Sequence, residues 1–153
     1  MEQPFIFKYK PKNLEDYNYN KDICDFLKKL IKINELNILI VGDSGSGKTT
    51  LINCLLNDYY NGVYNDNNIL IINQLKEQGI TYYRNDVKIF SQTFINSNKK
   101  KSIILDDIDC INEQSQQIFR NYLDKYNNNV NFIASCTNIQ KVIGSFQSRV
   151  LIL

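Results

Sequence analysis

The chain has 153 residues, of which 43% are hydrophobic and 22% are charged, so its length and composition are those of one globular domain. The formal net charge of +2 neither requires nor excludes a polyanionic partner. The sequence contains no histidine, which excludes histidine-based catalysis and Cys/His zinc sites, and its four cysteines form no closely spaced pair, which favours reduced thiols in the core.

Hydrophobic periodicity predicts strands that alternate with helices along the chain. Apolar residues at helical spacing predict helices over residues 22–33, 48–59, 79–94 and 114–126. Short apolar runs bounded by turn residues predict strands over residues 36–41, 69–73, 102–107, 130–137 and 150–153. Such alternation is typical of a parallel sheet with helices on both faces. We therefore expect a three-layer α/β fold with a five-stranded parallel sheet.

The turn after the first predicted strand carries a phosphate-binding motif. Residues 42–49, GDSGSGKT, match G-x-x-x-x-G-K-[ST] in the required position between a strand and a helix. Glycines allow backbone N–H groups to face phosphates, and the helix N-terminus adds its positive end. We expect Lys48 to reach the β- and γ-phosphate oxygens and Thr49 to bind Mg²⁺. The predicted nucleotide-binding residues of this loop are Gly42, Asp43, Ser44, Gly45, Ser46, Gly47, Lys48, Thr49 and Thr50.

Polar side chains follow the third and fourth predicted strands, where a phosphate loop requires a metal-ordering acid. We expect Asp106 to hold Mg²⁺, directly or through water, and Asp107 to act as the general base that polarises the attacking water. Asp109 is expected to lie at the start of a helix. Asn138 has two interpretations that spacing alone leaves open, namely a residue that orients the attacking water and an ordinary turn residue.

Several segments, in the same order along nearly the whole chain, resemble the small subunits of replication factor C, the clamp loaders of the AAA+ ATPase class. Residues 7–17, FKYKPKNLEDY, resemble the opening W-x-x-K-Y-R-P-x-x-L-x-D of that family. Residues 72–80, INQLKEQGI, follow its L-N-A-S-D-E-R-G-I, and residues 115–126, SQQIFRNYLDKY, follow A-Q-N-A-L-R-R-T-M-E-K-Y. Residues 142–150, VIGSFQSRV, resemble I-I-x-P-I-x-S-R-C. The resemblance implies a P-loop NTPase fold of the AAA+ type.

Arginine is rare in this chain, since only three of its 18 basic residues are arginines. Lysine is therefore the default cation, and each arginine is a candidate for a task that lysine cannot perform. Arg149 falls on the arginine of the S-R-C motif. The resemblance implies that it points out of its own subunit, at the γ-phosphate bound by a neighbour, and works as a finger in trans through its planar fork of donors. The alternative is a surface arginine that caps the preceding segment.

The resemblance implies further roles for individual residues. Asn138 matches the sensor asparagine, and Asn73 matches a strand-end asparagine that can hold the catalytic acid away until DNA is bound. Arg120 matches an arginine at the interface between subunits. Arg84 and Lys88 lie on the helix that lines the DNA-facing surface, and a solvated helix face is the alternative for these two. The residues expected near the adenine are Tyr9 and Pro11.

Two departures from the family affect the expected activity. The residue at the base position is Asp107 rather than Glu, one methylene shorter, and a displacement of about 1 Å can cost on the order of 10²-fold in rate. Family members also continue into a helical lid and a collar. Residues 1–153 match a single AAA+ nucleotide-binding domain that ends after the S-R-C-like motif. We therefore expect neither lid nor collar, weak nucleotide affinity and little ATPase activity of the isolated chain.

The leading interpretation is a module that binds ATP and Mg²⁺ and hydrolyses ATP in a hetero-oligomer with other clamp-loader subunits, loading a sliding clamp onto primer–template DNA. The apolar runs are strand-sized and the N-terminus lacks an apolar signal core, so we expect an intracellular protein at the site of DNA replication, neither secreted nor membrane-spanning. One alternative is a nucleotide-dependent interaction module without appreciable hydrolysis. Another is a small nucleotide kinase, which would need arginines in a lid over the phosphoryl acceptor.

Overall fold

The structure is a computed structural model that describes residues 4–17, 20–73, 79–94 and 98–153. Its helices are α1 (Phe5–Lys8), α2 (Lys21–Ile33), α3 (Lys48–Tyr60), α4 (Ile80–Gln92), α5 (Glu113–Tyr126) and α6 (Gly144–Gln147). Its strands are β1 (Ile38–Val41), β2 (Ile69–Ile72), β3 (Lys101–Leu105), β4 (Val130–Cys136) and β5 (Leu151–Ile152). Two short 3-10 turns cover Ile108–Cys110 and Ile139–Lys141. Among the described residues, no helix has the length and apolar character that a bilayer crossing requires.

The five strands run parallel in one sheet, in the order β2–β3–β4–β1–β5, as the alternation of elements predicts. The chain therefore moves from the inner strand β1 to the edge strand β2, returns through β3 to the central β4, and then crosses β1 to reach β5 at the other edge. In open α/β sheets, ligands bind at the carboxyl ends of the strands where the strand order reverses. In this sheet that point lies between β1 and β4.

The three inner strands, β3, β4 and β1, bury both of their faces, because successive side chains alternate between two apolar layers. One layer lies against α4, α5 and α6 and contains Leu39, Ile103, Leu105, Phe119, Phe132 and Phe146. The other lies against α2 and α3 and contains Leu27, Ile38, Ile40, Leu55, Ile104 and Ile133. Helices therefore cover the sheet on both sides, and the predicted three-layer α/β architecture is confirmed.

Two of the predicted strands are shorter by two residues at one end. The strand predicted over residues 36–41 begins only at Ile38, because the Leu36 N–H donates to Asn131 Oδ1 at 3.2 Å instead of to a neighbouring strand. The third strand ends before the two acids, since Asp107 has a φ of 53°, in the left-handed region that a strand cannot contain. The predicted bounds were wrong by two residues at both of these ends. The short helices α1 and α6 have no counterpart among the predicted elements.

Candidate nucleotide-binding site

The phosphate loop connects the carboxyl end of β1 to the N-terminus of α3. Gly45 and Gly47 have φ values of 76° and 92°, in the left-handed region that glycine adopts without the cost a side chain would add. The helix of 13 residues begins directly after Gly47, at Lys48. The free N–H groups of its first turn and its positive end are therefore directed at the loop, which is the arrangement that binds phosphate.

The amine of Lys48 lies over the loop. Its Nζ donates to the carbonyl oxygens of Gly42 at 2.7 Å and Asp43 at 2.9 Å. Thr49 is exposed at the start of α3, and Thr50 is half-buried. The structure thus gathers the predicted phosphate ligands of residues 42–50 in one place at the strand end.

Tyr17, in the N-terminal segment, contacts the phosphate loop. The sequence motifs did not predict this residue. Its hydroxyl donates to the carbonyl oxygen of Gly47 at 3.1 Å. A Cβ added to Gly47 would lie 2.6 Å from the same hydroxyl oxygen, so Gly47 is required for close approach as well as for its φ. The signal available in the sequence was a tyrosine that directly follows the L-x-D of the opening motif.

The contacts of Pro11 and Tyr9, the residues of that segment expected near adenine, do not themselves define an adenine site. Pro11 lies against α3, where its carbonyl oxygen accepts from Cys54 Sγ at 3.4 Å. Tyr9 stacks on Phe5 with ring centroids 5.5 Å apart and is 68% exposed. The contacts of Tyr9 and Pro11 with adenine stay predictions.

Asp106 and Asp107 meet at the carboxyl end of β3, where Ser135 of β4 joins them. The Ser135 hydroxyl donates to Asp106 Oδ1 at 2.6 Å and accepts from the Asp107 N–H at 3.1 Å. Ser135 is fully buried and pairs with Ile40 of β1 across the sheet. This serine therefore fixes both acids relative to the strand that carries the phosphate loop. Its signal in the sequence was a polar residue near the end of a largely apolar strand, in which Asn131 is the other polar residue.

The carboxyl group of Asp107 lies in an environment that favours its neutral form. Burial raises the pKa of Asp107 above its ordinary value, the charges of Asp106 and Asp109 raise it further, and the charge of Lys48 opposes the shift. A base with a raised proton affinity is suited to taking a proton from water.

Asp109 connects the acids to Asn138. It lies in the turn Ile108–Cys110, and its Oδ2 accepts from the backbone N–H groups of Thr137 at 3.2 Å and Asn138 at 2.9 Å. Asn138 is exposed, and its Oδ1 accepts from the Gln140 N–H at 3.0 Å. The turn contact is therefore present, while the role of Asn138 as a sensor stays a prediction.

Gln116 of α5 connects the turns Ile108–Cys110 and Ile139–Lys141 beside the site by hydrogen bonds. The sequence analysis did not predict this residue. Its Nε2 lies 3.1 Å from the carbonyl oxygen of Ile108 and 3.0 Å from that of Lys141, and its Oε1 accepts from the Ile143 N–H at 2.9 Å. The residue is fully buried, so these bonds are shielded from water. A polar residue on the apolar face of a predicted helix was the available signal.

The remaining predicted residues lie around this centre. Asn73 directly follows β2, and its Oδ1 is buried without a hydrogen-bond partner in the part of the chain that the structure describes. Arg84 and Lys88 are exposed on α4. Arg120 and Arg149 both contact Asp124 on α5. The switch, DNA-binding and interface roles of these residues stay predictions.

Comparison with known proteins identifies the family. The model for the ATPase family associated with various cellular activities (AAA) matches residues 38–152, which include the phosphate loop and both acids. The chain belongs to the AAA family of ATPases. Membership of this family implies nucleotide binding, for which Mg²⁺ is the usual companion ion.

Two relatives of this AAA domain are replication factor C subunits. The chain is 36% identical to the replication factor C small subunit of Saccharolobus solfataricus over 144 residues, which is 93% of this chain and 43% of the relative. It is 33% identical to replication factor C subunit 4 of Saccharomyces cerevisiae over 156 residues, which is 100% of this chain and 48% of the relative. The resemblance that the motifs predicted is confirmed. The chain spans less than half the length of these two relatives.

Two solved structures share the fold at low sequence identity. A DNA polymerase III gamma subunit-related protein of Thermotoga maritima is 19% identical, with a TM-score of 0.67 over 83% of this chain and 44% of that chain. The RuvB Holliday junction branch migration motor of the same organism is 14% identical, with a TM-score of 0.72 over 94% of this chain and 47% of that chain. The AAA-type P-loop fold is thereby confirmed.

The side chains of this AAA domain fit a nucleotide with Mg²⁺. Gly45 has open space within 4 Å of the position that a Cβ would take, so the backbone of the loop can be approached closely. Mg²⁺ is usually held by one or two protein oxygens together with phosphate oxygens and water. The exposed hydroxyl of Thr49 and the carboxylate of Asp106, which Ser135 orients, are such oxygens.

Proposed function

We propose that this chain is the ATPase module of a clamp-loader subunit, which binds ATP with Mg²⁺ and hydrolyses it in assembly with partner subunits to load a sliding clamp onto primer–template DNA. The observation that carries the proposal is the convergence of the phosphate loop with Asp106 and Asp107 across the ends of β1, β4 and β3, held by Ser135. The relatives named replication factor C support the partners and an intracellular place at the site of DNA replication.

Each residue has a separable task in this proposal. The loop N–H groups bind the phosphates and Lys48 neutralises the charge that develops on them. Asp106 and Thr49 hold Mg²⁺, whose chemistry is to neutralise phosphate charge. Asp107 accepts a proton from the attacking water, and Asn138 orients that water. Arg149 completes the site of a neighbouring subunit rather than its own.

The contacts of Arg149 support an action outside its own site. Its guanidinium donates to Asp124 Oδ1 at 2.6 Å and to the Ser145 carbonyl oxygen at 2.6 Å. Within the described residues it contacts neither the phosphate loop nor Asp106 and Asp107. A finger in trans contributes chiefly to the transition state, on the order of 10³–10⁵ in rate.

A second candidate is a module that binds nucleotide to shape an interface and does not turn it over. The shorter acid favours it, because Asp107 departs from the family's Glu and its backbone is left-handed. Intact Lys48, Thr49 and Asp106 are common to both candidates, so nucleotide binding alone does not separate them. The replication factor C relatives offer no support for the small-kinase alternative.

The test is ATP turnover by the full chain assembled with clamp-loader partner subunits, with and without primed DNA and clamp. We expect turnover that DNA stimulates and that Lys48→Ala removes from this subunit's site. Binding of ATP without turnover in every assembly would select the interface module instead. Turnover that is equal in the wild-type and Lys48→Ala assemblies would contradict hydrolysis at this site, and equal ATP binding by the two would contradict both candidates.

A mixed assembly tests the trans role of Arg149. Only one subunit retains its phosphate-loop lysine, so all turnover comes from one known site. Arg149→Ala should slow hydrolysis when it lies in the subunit that adjoins this site, and Arg149→Lys should not restore it, since a point charge cannot replace the fork. A loss that appears only when Arg149→Ala and the intact Lys48 share one chain would show that the arginine acts in cis.

A further inference from the structure

Asp124 of α5 is the acceptor around which two of the three arginines gather. Arg149 Nε donates to Asp124 Oδ1 at 2.6 Å, and Arg120 Nη1 lies 3.6 Å from Asp124 Oδ2. The first distance is that of a strong charge-assisted hydrogen bond, and the second is only a weak ion pair. The carboxylate is therefore committed chiefly to Arg149.

The contacts of Arg149 fix its guanidinium in one orientation. Besides the bond to Asp124, Nη1 donates to the Ser145 carbonyl oxygen at 2.6 Å and lies 3.3 Å from Ser148 Oγ. Two fixed nitrogens determine the plane of the group. Within the described residues these bonds leave Nη2 without a partner. The Nη2 amino group can therefore donate to a further acceptor while Nε and Nη1 keep the guanidinium in place.

Fold stability does not account for this arrangement. The side chains of Arg149 and Asp124 are 32% and 46% exposed, and ion pairs of this exposure contribute little to folding. The charges are also unequal, since two guanidinium groups face one carboxylate, and Arg120 Nε is buried without a hydrogen-bond partner in the described part of the chain. The cluster keeps a net positive charge that an added anion would balance.

We propose that Asp124 is a positioning residue that holds the Arg149 guanidinium by its Nε, so that the free Nη2 corner is presented to a phosphate oxygen bound by an adjoining subunit. This inference rests on the proposed function, because it assumes that Arg149 acts in trans. An arginine that is oriented before assembly loses less side-chain freedom when it meets the phosphate. Asp124 acts through Arg149 and does not touch the nucleotide.

The test uses the mixed assembly with one intact site, in which the chain carrying the substitutions adjoins that site. Asp124→Ala should lower kcat there about tenfold while KM changes little, since the lost interaction belongs to the transition state. Asp124→Glu should recover most of the rate, because it keeps the carboxylate. Asp25→Ala, which removes the same charge from an exposed position of α2, is the matched control and should leave the rate unchanged.

A double-mutant cycle shows whether Asp124 acts through the arginine. In an Arg149→Ala background, Asp124→Ala should have no further effect on the adjoining site. An equal tenfold loss in that background would overturn the inference, because Asp124 would then act by another route. If Arg149→Ala slows turnover and Asp124→Ala does not, the inference fails and the proposed function stands. If Arg149→Ala has no effect, the trans role fails and the inference fails with it.

A second measurement on the isolated full chain needs no assembly. Three arginines produce three Nε–H signals in an NMR spectrum, which substitution of each arginine in turn assigns. The Arg149 Nε–H should exchange slowly with water in the wild type and in Asp25→Ala, and about tenfold faster in Asp124→Ala. Unchanged exchange in Asp124→Ala would show that the carboxylate does not hold the guanidinium.

Discussion

The phosphate loop consists of eight consecutive residues, 42–49, whereas the acid cluster takes Asp106, Asp107 and Asp109 from the end of β3 and Ser135 from β4. The loop obtains its shape from local backbone conformation, chiefly the positive φ values of Gly45 and Gly47. The acids obtain theirs from contacts between strands. Damage to the strand pairing should therefore disturb the acids while the loop keeps its conformation.

The phosphate loop and the acid cluster should also differ in how they tolerate substitution. The groups of the loop act together, because its N–H groups, Lys48 and the end of α3 all bind the same phosphates. The acid cluster divides its tasks, since Asp106 and Asp107 have different roles and Ser135 orients both. Substitution of one residue of the acid cluster should thus lower the turnover rate only in part, whereas substitution of Lys48 should abolish ATP binding.

The largest effect is expected from Lys48→Ala, which should abolish binding of Mg²⁺-ATP by the isolated chain. The lysine is the charge in the loop that reaches the phosphates, and nothing else in residues 42–49 is cationic. Calorimetry measures the affinity. Lys32→Ala, at an exposed position of α2, removes the same charge elsewhere and should bind as the wild type does. Equal affinities of the Lys48→Ala variant and the wild type would place the nucleotide outside this loop.

Asp107→Asn should lower the turnover rate of an active assembly by about 10²-fold or more, which is the usual contribution of a positioned general base to the rate. ATP affinity should be retained. Asparagine keeps the shape of the side chain and accepts the left-handed backbone at this position, so only the proton acceptor is lost. Single-turnover kinetics separate the chemical step from binding. An Asn variant as fast as the wild type would show that Asp107 is not the base.

Ser135→Ala should lower turnover about tenfold, because both acids lose the hydroxyl that orients them. It should also destabilise the fold by about 1–3 kcal/mol, since the Asp107 N–H loses its acceptor. Ser102→Ala is the matched control, as Ser102 is an equally buried strand serine whose Oγ lies 2.9 Å from the Tyr60 hydroxyl. Denaturant unfolding and turnover are measured on both. Equal turnover of the two variants would contradict a role of Ser135 in the acid cluster.

Asp107→Glu should raise turnover several-fold in any assembly that hydrolyses ATP, because the longer side chain restores the reach of the family's base. The same change should lower the free energy of unfolding by about 1 kcal/mol, since a φ of 53° is less favourable for Glu than for Asp. Turnover and denaturant unfolding are compared between the variant and the wild type. A gain in rate without a loss of stability would indicate that the backbone relaxes at this position.

The smallest effect is expected from Tyr17→Phe, which should weaken ATP binding by about two- to tenfold, the equivalent of one hydrogen bond. The lost bond is that of the Tyr17 hydroxyl to Gly47, so this variant tests whether the loop needs support from outside its own eight residues. Tyr122→Phe removes a similar bond, to the Arg84 carbonyl oxygen at 2.8 Å, away from the loop. If both variants bind ATP equally well, the loop conformation is purely local.

The sequence by itself determined the features that depend on local pattern. Periodicity was sufficient for the five strands and for four of the helices, since alternating burial imposes a period on the residues themselves. Motif spacing was sufficient for the phosphate loop, whose shape follows from glycine, and for the placement of Asp106 and Asp107 at a strand end. Composition suggested a special task for Arg149, and that task stays a prediction.

The tertiary structure alone decided the features that depend on contacts between distant segments. Ser135 meets the acids, Tyr17 meets Gly47 and Asp124 meets Arg149 across separations of 28, 30 and 25 residues, and no local pattern encodes which distant group a polar side chain will face. The start of β1 shifted for the same reason, because a side chain of β4 accepts the Leu36 N–H in place of a neighbouring strand. Periodicity reports burial, and hydrogen-bond partners are selected only when the sheet and its helices come together.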